Sequence, residues 1–245
     1  MRSPMSLRRV EALRRLLLRS LLAGALIAGV IVLFAGCREN RAVVRTDGVR
    51  LADLRQMVVP RGELGLAGIG MRLDDAGWTP NRAAARESLD PDDTARSLAR
   101  AGRLGGYSLV YDRSGLPGDE HPLSVGTEVE LFRDDASASA YLRRQVATAL
   151  RLRGKRLPVG RVARVNLFRG GDVGDEAEGL HQTVVVRRGV GYGTTIGFRD
   201  GRVVASVGVL HRVETGGPGD IRSIAATLER RIASVAAGEL RAAMR

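Results

Sequence analysis

The chain has 245 residues, 44% of them hydrophobic and 27% charged, which suits one globular domain with appendages. Its formal charge of +12 raises the question of nucleic acid, but six arginines sit in residues 1–36 against Glu11 alone. Without that segment 33 basic and 26 acidic residues remain, a net of +7. The remaining arginines are scattered among acids, as Arg96, Arg100, Arg103 and Arg133 are near Asp92, Asp93 and Asp134. Aromatic residues make up only 4% of the chain, so the clustered basic face with stacking rings that nucleic acid needs is not expected. Lys155 is the one lysine, which points to a general preference for arginine and not to selection at one site.

The N-terminal stretch from Met1 to Arg19 is cationic, and Ser20 to Ala35 is an unbroken run of apolar and small residues. Phe34-Ala35-Gly36-Cys37 follows, then Arg38-Glu39-Asn40. A charged start, an apolar middle and small residues before a cleavage point make a secretory signal. Sixteen apolar residues reach roughly 24 Å as a helix, short of the ~30 Å hydrocarbon layer. An uncleaved anchor that draws in Leu16 to Leu18 is the alternative, and a plain signal peptide is another. The small residues directly before Cys37 resemble the lipobox of bacterial lipoproteins. In that family a peptidase cuts before the cysteine, whose thiol carries a diacylglyceryl group. Three positions before the cysteine the family carries Leu; here Phe34 stands there, with Leu33 one place earlier. Cys37 is the only cysteine, so no disulfide staples the fold and the residue calls for its own account. The resemblance implies lipidation at Cys37, a signal peptide over 1–36, and attachment to the membrane through a lipid. The arginines before the apolar run place the domain on the extracytoplasmic side, and a two-chain lipid holds it there stably.

Residues 37–50 read as a polar tether, and a single domain is expected over 51–240 with a tail at 241–245. A short helix is expected from about Leu51 to Val58, ending before Pro60, then irregular chain to Gly77 through Gly62, Gly65, Gly68 and Gly70. Asp90-Pro91-Asp92-Asp93 is a helix start that predicts a helix to about Ala101. Gly106 to Asp112 alternates as a strand, Ser114 to Pro122 is a loop, and Val125 to Phe132 is a second strand. Asp134-Asp135 caps a helix to about Leu152 with an apolar stripe of Ala138, Tyr141, Leu142, Val146, Ala149 and Leu150. A strand over Val162 to Phe168 and a loop over Gly170 to Gly179 follow. Three strands come next, His181 to Arg188, Tyr192 to Arg199 and Arg202 to His211, the last two joined at Asp200-Gly201 as a type I′ turn. After Gly216-Gly217-Pro218-Gly219, Asp220 caps a final helix whose stripe is Ile221, Ile224, Ala225, Leu228, Ile232 and Val235, ending near Gly238. The expected fold is α+β: an antiparallel β-sheet of about 5–6 strands with amphipathic helices packed on one face.

Val173-Gly174-Asp175-Glu176-Ala177 precedes the strand pair Thr194 to Arg199 and Asp200 to Ala205, and a terminal helix closes the domain. These residues resemble the extracytoplasmic sensor-like domains of bacterial lipoproteins and of the outer side of receptor serine/threonine kinases. The order of elements matches over residues 50–240, and the specific match is confined to some 35 residues. Kinase-linked members carry cysteine pairs, which this chain lacks. The resemblance implies a non-enzymatic binding or interaction domain at the cell envelope and assigns no ligand-binding residues.

The candidate chemistry is sparse. Asp172, Asp175, Glu176 and Glu178 form an acidic loop without the ligand spacing of a calcium site. It reads as a solvated loop in which Asp175 or Glu176 bonds turn amides. Gly189, Gly191 and Gly193 lie between two strands, where a hairpin is expected and not a phosphate cradle. His181 and His211 are expected on the order of 25 Å apart, at opposite ends of parallel strands, and His121 lies in a loop before Pro122. Asp74/Asp75 and Asp134/Asp135 read as caps, and Trp78 as a packing anchor. No catalytic set, metal site or cofactor is expected. Two alternatives are an envelope hydrolase whose residues converge only in three dimensions and a structural accessory subunit of a membrane complex. The partner expected is the membrane through its lipid anchor, with an unknown ligand or envelope protein and no nucleic acid.

Overall fold

The computed structural model describes residues 44–88, 94–113, 121–157, 160–186, 189–214 and 218–239. Cys37 and the apolar run before it lie outside the described residues, as do Asp90-Pro91-Asp92-Asp93. Eight strands form one open antiparallel sheet: β1 (Met71–Thr79), β2 (Arg103–Arg113), β3 (Ser124–Phe132), β4 (Arg156–Leu157), β5 (Gly160–Arg169), β6 (Glu176–Val186), β7 (Gly189–Asp200) and β8 (Val203–His211). Their spatial order is β1-β2-β3-β8-β7-β6-β5-β4. The helices are α1 (Leu54–Met57), α2 (Asn81–Glu87), α3 (Ala95–Arg100), α4 (Asp135–Arg151) and α5 (Pro218–Ala236), and a 3₁₀ turn, Leu51–Asp53, leads into α1.

The sheet has eight strands where the sequence suggested five or six. The two additions are the short β4 and the nine-residue edge strand β1. Asp74 and Asp75, read as caps, lie in β1, and the register against β2 slips between Leu73 and Asp75. That bulge breaks the alternation by which a strand is recognised, and Gly77 weakens it further.

Helices cover both faces of the sheet, and not one. Val203, Ala205, Val207 and Val209 of β8 pack with Ile221, Ile224, Ala225, Leu228, Ile232 and Val235 of α5 and with Leu54 and Met57 of α1. Val204, the neighbour of Val203, packs on the other side with Phe132 and with Ala138, Tyr141, Leu142 and Val146 of α4. Successive strand residues point to opposite faces, so all nine residues of β8 are buried. The solvent-facing alternation expected of an antiparallel meander is absent there because a second helical layer covers it.

Local signals set the ends of the elements. Asp134 Oδ1 accepts from Ser137 N at 2.7 Å, capping α4 as anticipated and holding the Asp134 carboxyl below its usual range. Thr94 caps α3, its hydroxyl accepting from Ser97 N at 3.0 Å. The β7–β8 hairpin closes one residue later than expected: Asp200 pairs with Val203, and Gly201 takes φ 51°. Residues 44–50, assigned to the tether by composition, lie on this turn. Arg202 donates from Nε to Thr46 O at 3.1 Å and from Nη2 to Asp47 O at 2.9 Å and Val49 O at 2.6 Å. Its backbone N–H donates to Thr46 Oγ1 at 2.9 Å. Thr46 and Val49 are buried. One guanidinium thus satisfies three carbonyls that a polar segment would otherwise leave to water.

Candidate functional site

The face under α4 carries the charged chemistry of the domain. Glu128 and Glu130, two apart on β3, project to the same side. Glu130 stands opposite Gly106 of β2, and Glu128 opposite Ser108 of β2 and Ser206 of β8. A Cβ on Gly106 would come within 2.8 Å of Arg103 Nη2, so glycine leaves the room the guanidinium occupies. Arg103 is fully buried and donates from Nε to Glu130 Oε1 at 2.6 Å. Its other donors are used as well: Nη1 reaches Thr79 O at 2.8 Å and Asn81 Oδ1 at 2.9 Å, and Nη2 reaches Thr79 Oγ1 at 3.1 Å. Tyr141 of α4 donates its hydroxyl to Glu130 Oε1 at 3.1 Å. Asn81 returns a bond to Arg103 O at 2.9 Å, tying the start of α2 to β2. A buried ion pair tolerates removal from water only when its remaining donors and acceptors are met in this way.

Glu128 is the odd member of this network. Burial, then the negative charge of Glu130 beside it, push its carboxyl up to about 8, against the opposing pull of Arg103. Thr79 Oγ1 at 3.4 Å is a weak partner. Unlike Arg103, Glu128 is only half-buried. Ser108, Ser206 and Gly126 surround it, and Gly77 opposite Ser108 has open space where a side chain would stand. Glu128 thus stands partly exposed among small side chains, its affinity for a proton raised, beside the Arg103–Glu130 ion pair. When protonated it can donate a hydrogen bond, and when ionised it can accept one. Perturbed carboxyls are enriched where binding and catalytic chemistry occur.

This network was not anticipated from sequence. Glu128 and Glu130 share one side of an alternating strand, and alternation alone does not say that a helix covers that side. The available signal was two acids on one strand face in register with the stripe of an amphipathic helix that follows.

The acidic loop has become a structural clasp. Asp175 Oδ2 accepts from Gly201 N at 2.8 Å and Arg199 Nη1 at 3.0 Å. Glu176 Oε1 accepts from Ser139 of α4 at 2.6 Å and Arg199 Nη2 at 3.2 Å. Glu229 of α5 accepts from Gly174 N at 2.8 Å. These residues carry the family resemblance, and they hold the loop before β6 to the β7–β8 turn and to both major helices. Asp172 pairs with Arg169 at the surface, and burial raises the Glu178 carboxyl. Among the described residues no group of three His, Cys, Asp or Glu is placed to hold a metal ion.

Gly189, Gly191 and Gly193 lie in β7, Gly189 paired with Val186 across a two-residue connection, as a hairpin requires. His181 and His211 share one sheet face and are closer than the sequence suggested. His181 pairs with Thr194 and His211 with Tyr192, so two strand spacings and two residues separate them, on the order of 12 Å. The expected 25 Å assumed that His181 begins its strand, whereas β6 begins five residues earlier. His181 Nδ1 lies 3.0 Å from Thr194 Oγ1, its ring stacks on Tyr192, and burial lowers its affinity for a proton while Glu214 partly restores it. Thr194 is 5% exposed, so a substrate has little access to its hydroxyl. His121 is exposed. Trp78 meets Tyr107 edge-on at 5.1 Å but is 48% exposed, so it is only partly a packing anchor.

No model of a known protein family matches the chain, and no curated protein does. Among solved structures the chain is similar to the extracellular domain of PknH from Mycobacterium tuberculosis, with a TM-score of 0.53 and 14% sequence identity, covering 75% of this chain and 96% of that one. At this identity the likeness is one of fold: the chain shares its architecture with a solved extracellular domain, in keeping with the sensor-like outer domains its sequence resembles.

Proposed function

We propose that this protein is a lipid-anchored extracytoplasmic domain that binds a ligand or an envelope partner without transforming it. The observation that carries the proposal is the fold shared with an extracellular domain over 96% of that domain's length. The small residues before Cys37 support export and lipidation on the outer side of the cell membrane. Among the described residues no helix is long and apolar enough to cross a membrane. Glu128 is the group we assign to the ligand, because it is a partly exposed titratable side chain beside the bonded Arg103–Glu130 pair.

Mass spectrometry of the mature protein tests the anchor: a chain beginning at acylated Cys37 is expected, and a chain retaining residues 1–36 would overturn it. Carboxyl-resolved NMR tests Glu128 during titration with fractionated envelope components. Glu128 is expected to shift in at least one titration; a response confined to other surfaces would move the site. An envelope hydrolase is the second reading, with the His181–Thr194 pair near Glu214 as its candidate and the burial of Thr194 against it. Covalent labelling of Thr194 by a fluorophosphonate would establish it.

A further inference from the structure

Among the described residues nine large apolar side chains are left in water, and five of them, Leu51, Leu66, Ile69, Leu73 and Trp78, fall between residues 51 and 78 along the β1 rim, each at least 40% exposed, with Leu66 at 74%. Leu104 lies on β2, and Leu167, Val185 and Val190 lie on β5, β6 and β7. Leu51 lies over Gly105 of β2, where a Cβ would come within 3.1 Å of it. Trp78 packs on Tyr107, two residues further along β2 on the same face, and Leu73 pairs with Tyr111 on that face. Leu66 lies within the 3₁₀ turn Gly65–Gly68 and Ile69 follows it; Ala67 of that turn enters the core against Leu64 and Met71, leaving the two larger chains outside. Core formation does not require this arrangement, and β1 is an edge strand with nothing paired beyond it.

The chain enters the domain beside this rim. Residues 46–49 are clamped by Arg202, and Leu51 follows at once. Val44 stands seven residues after Cys37 in the sequence, at most about 25 Å of fully extended chain. Arg50 and Arg55 are exposed between the clamp and the rim, and Arg61 beyond them. On this stretch Asp53 accepts from Arg50 N at 2.8 Å and stands 3.9 Å from the Arg50 guanidinium, Glu63 pairs with Arg231 at 2.8 Å, and Asp47 is exposed.

We propose that this rim is a second membrane contact: the apolar side chains enter the headgroup layer of an anionic bilayer, Trp78 at the interface and Arg50, Arg55 and Arg61 over lipid phosphates. The proposal rests on the lipid-anchor reading, since the short linker brings the rim to the bilayer. Tryptophan at the water–lipid boundary and arginines over anionic headgroups are the usual elements of such a contact. Docking along β1 and α1 fixes the orientation of the domain and leaves Glu128 on the opposite sheet face.

The test uses two singular residues. Cys37, the only cysteine, is coupled to maleimide lipid in phosphatidylglycerol vesicles, reproducing the linker without any dependence on cellular lipidation. Trp78, the only tryptophan, reports from the rim itself. Emission of the coupled chain from Cys37 onward is expected to shift to the blue and to be quenched by brominated lipid. Leu66→Ser with Ile69→Ser should reduce the quenching and, for uncoupled protein, lower vesicle partitioning by about tenfold. Equal emission with and without vesicles, with circular dichroism unchanged, would overturn the proposal whatever becomes of the anchor. So would a blue shift without lipid that grows with protein concentration, since the rim would then belong to a second copy.

Discussion

The two faces of the sheet are built from different materials. Beneath α5 the contact is almost wholly aliphatic, and Glu229, the buried acid of that helix, is used to hold Gly174. Beneath α4 the helix buries Ser139, Gln145 and Thr148 beside its apolar stripe, and the sheet answers with Arg103, Glu130 and Glu128. Burial of aliphatic surface is indifferent to detail, so the first face accounts for stability. Buried charges demand complete bonding and contribute little net stability when they have it. The second face therefore keeps charges that contribute little to its stability.

The sharpest way to break this contrast is to unpair the buried charges. Arg103→Met leaves Glu130 charged and uncompensated, and should lose about 3–5 kcal/mol in urea denaturation. Adding Glu130→Leu should restore much of that loss; if the double variant is as unstable as the single one, the pair is structural cement and the contrast fails. Arg202→Ala should lose about 2 kcal/mol, the scale of hydrogen bonds to a charged group, and expose residues 44–50 to protease. It leaves both helical faces intact.

Glu128 sharpens the comparison through pH. Its folded carboxyl keeps a proton to about pH 8, while the unfolded one releases it near 4.5. The unfolded state therefore holds fewer protons between those values, and stability falls as pH rises across the window and levels off above it. Glu128→Gln should remove that slope, raising stability at pH 8 by roughly 1–2 kcal/mol after allowance for solvent screening and converging with the parent near pH 4. Melting temperatures at several pH values would show it, and parallel curves would refute the raised carboxyl. The smallest effect belongs to the rim: Leu66→Ser should change stability by less than about 0.5 kcal/mol, as measured by urea titration, because the side chain is already in water.

The resemblance-bearing residues teach a related lesson. Asp175 bonds a turn amide, as the acidic loop was expected to: its carboxylate accepts from Gly201 N and from Arg199, while Glu176 accepts from Arg199 and Ser139. The residues that carry the resemblance therefore serve the fold, and Glu128 lies elsewhere.

What sequence alone determined was whatever depends on neighbours along the chain. The α4 cap at Asp134, the stripes of α4 and α5, and the run of strands from β5 to β8 were legible because caps, helical periodicity and turn glycines act over a few residues. Strand β1 was hidden by its bulge and glycine. That helices cover both faces, and that Glu128 and Glu130 lie beneath one of them, was decided only by tertiary structure. A strand's alternation states which residues share a face, and not whether that face meets water or another layer. The same holds for Trp78: the sequence offered one tryptophan, and only the packing around Tyr107 left half of it exposed.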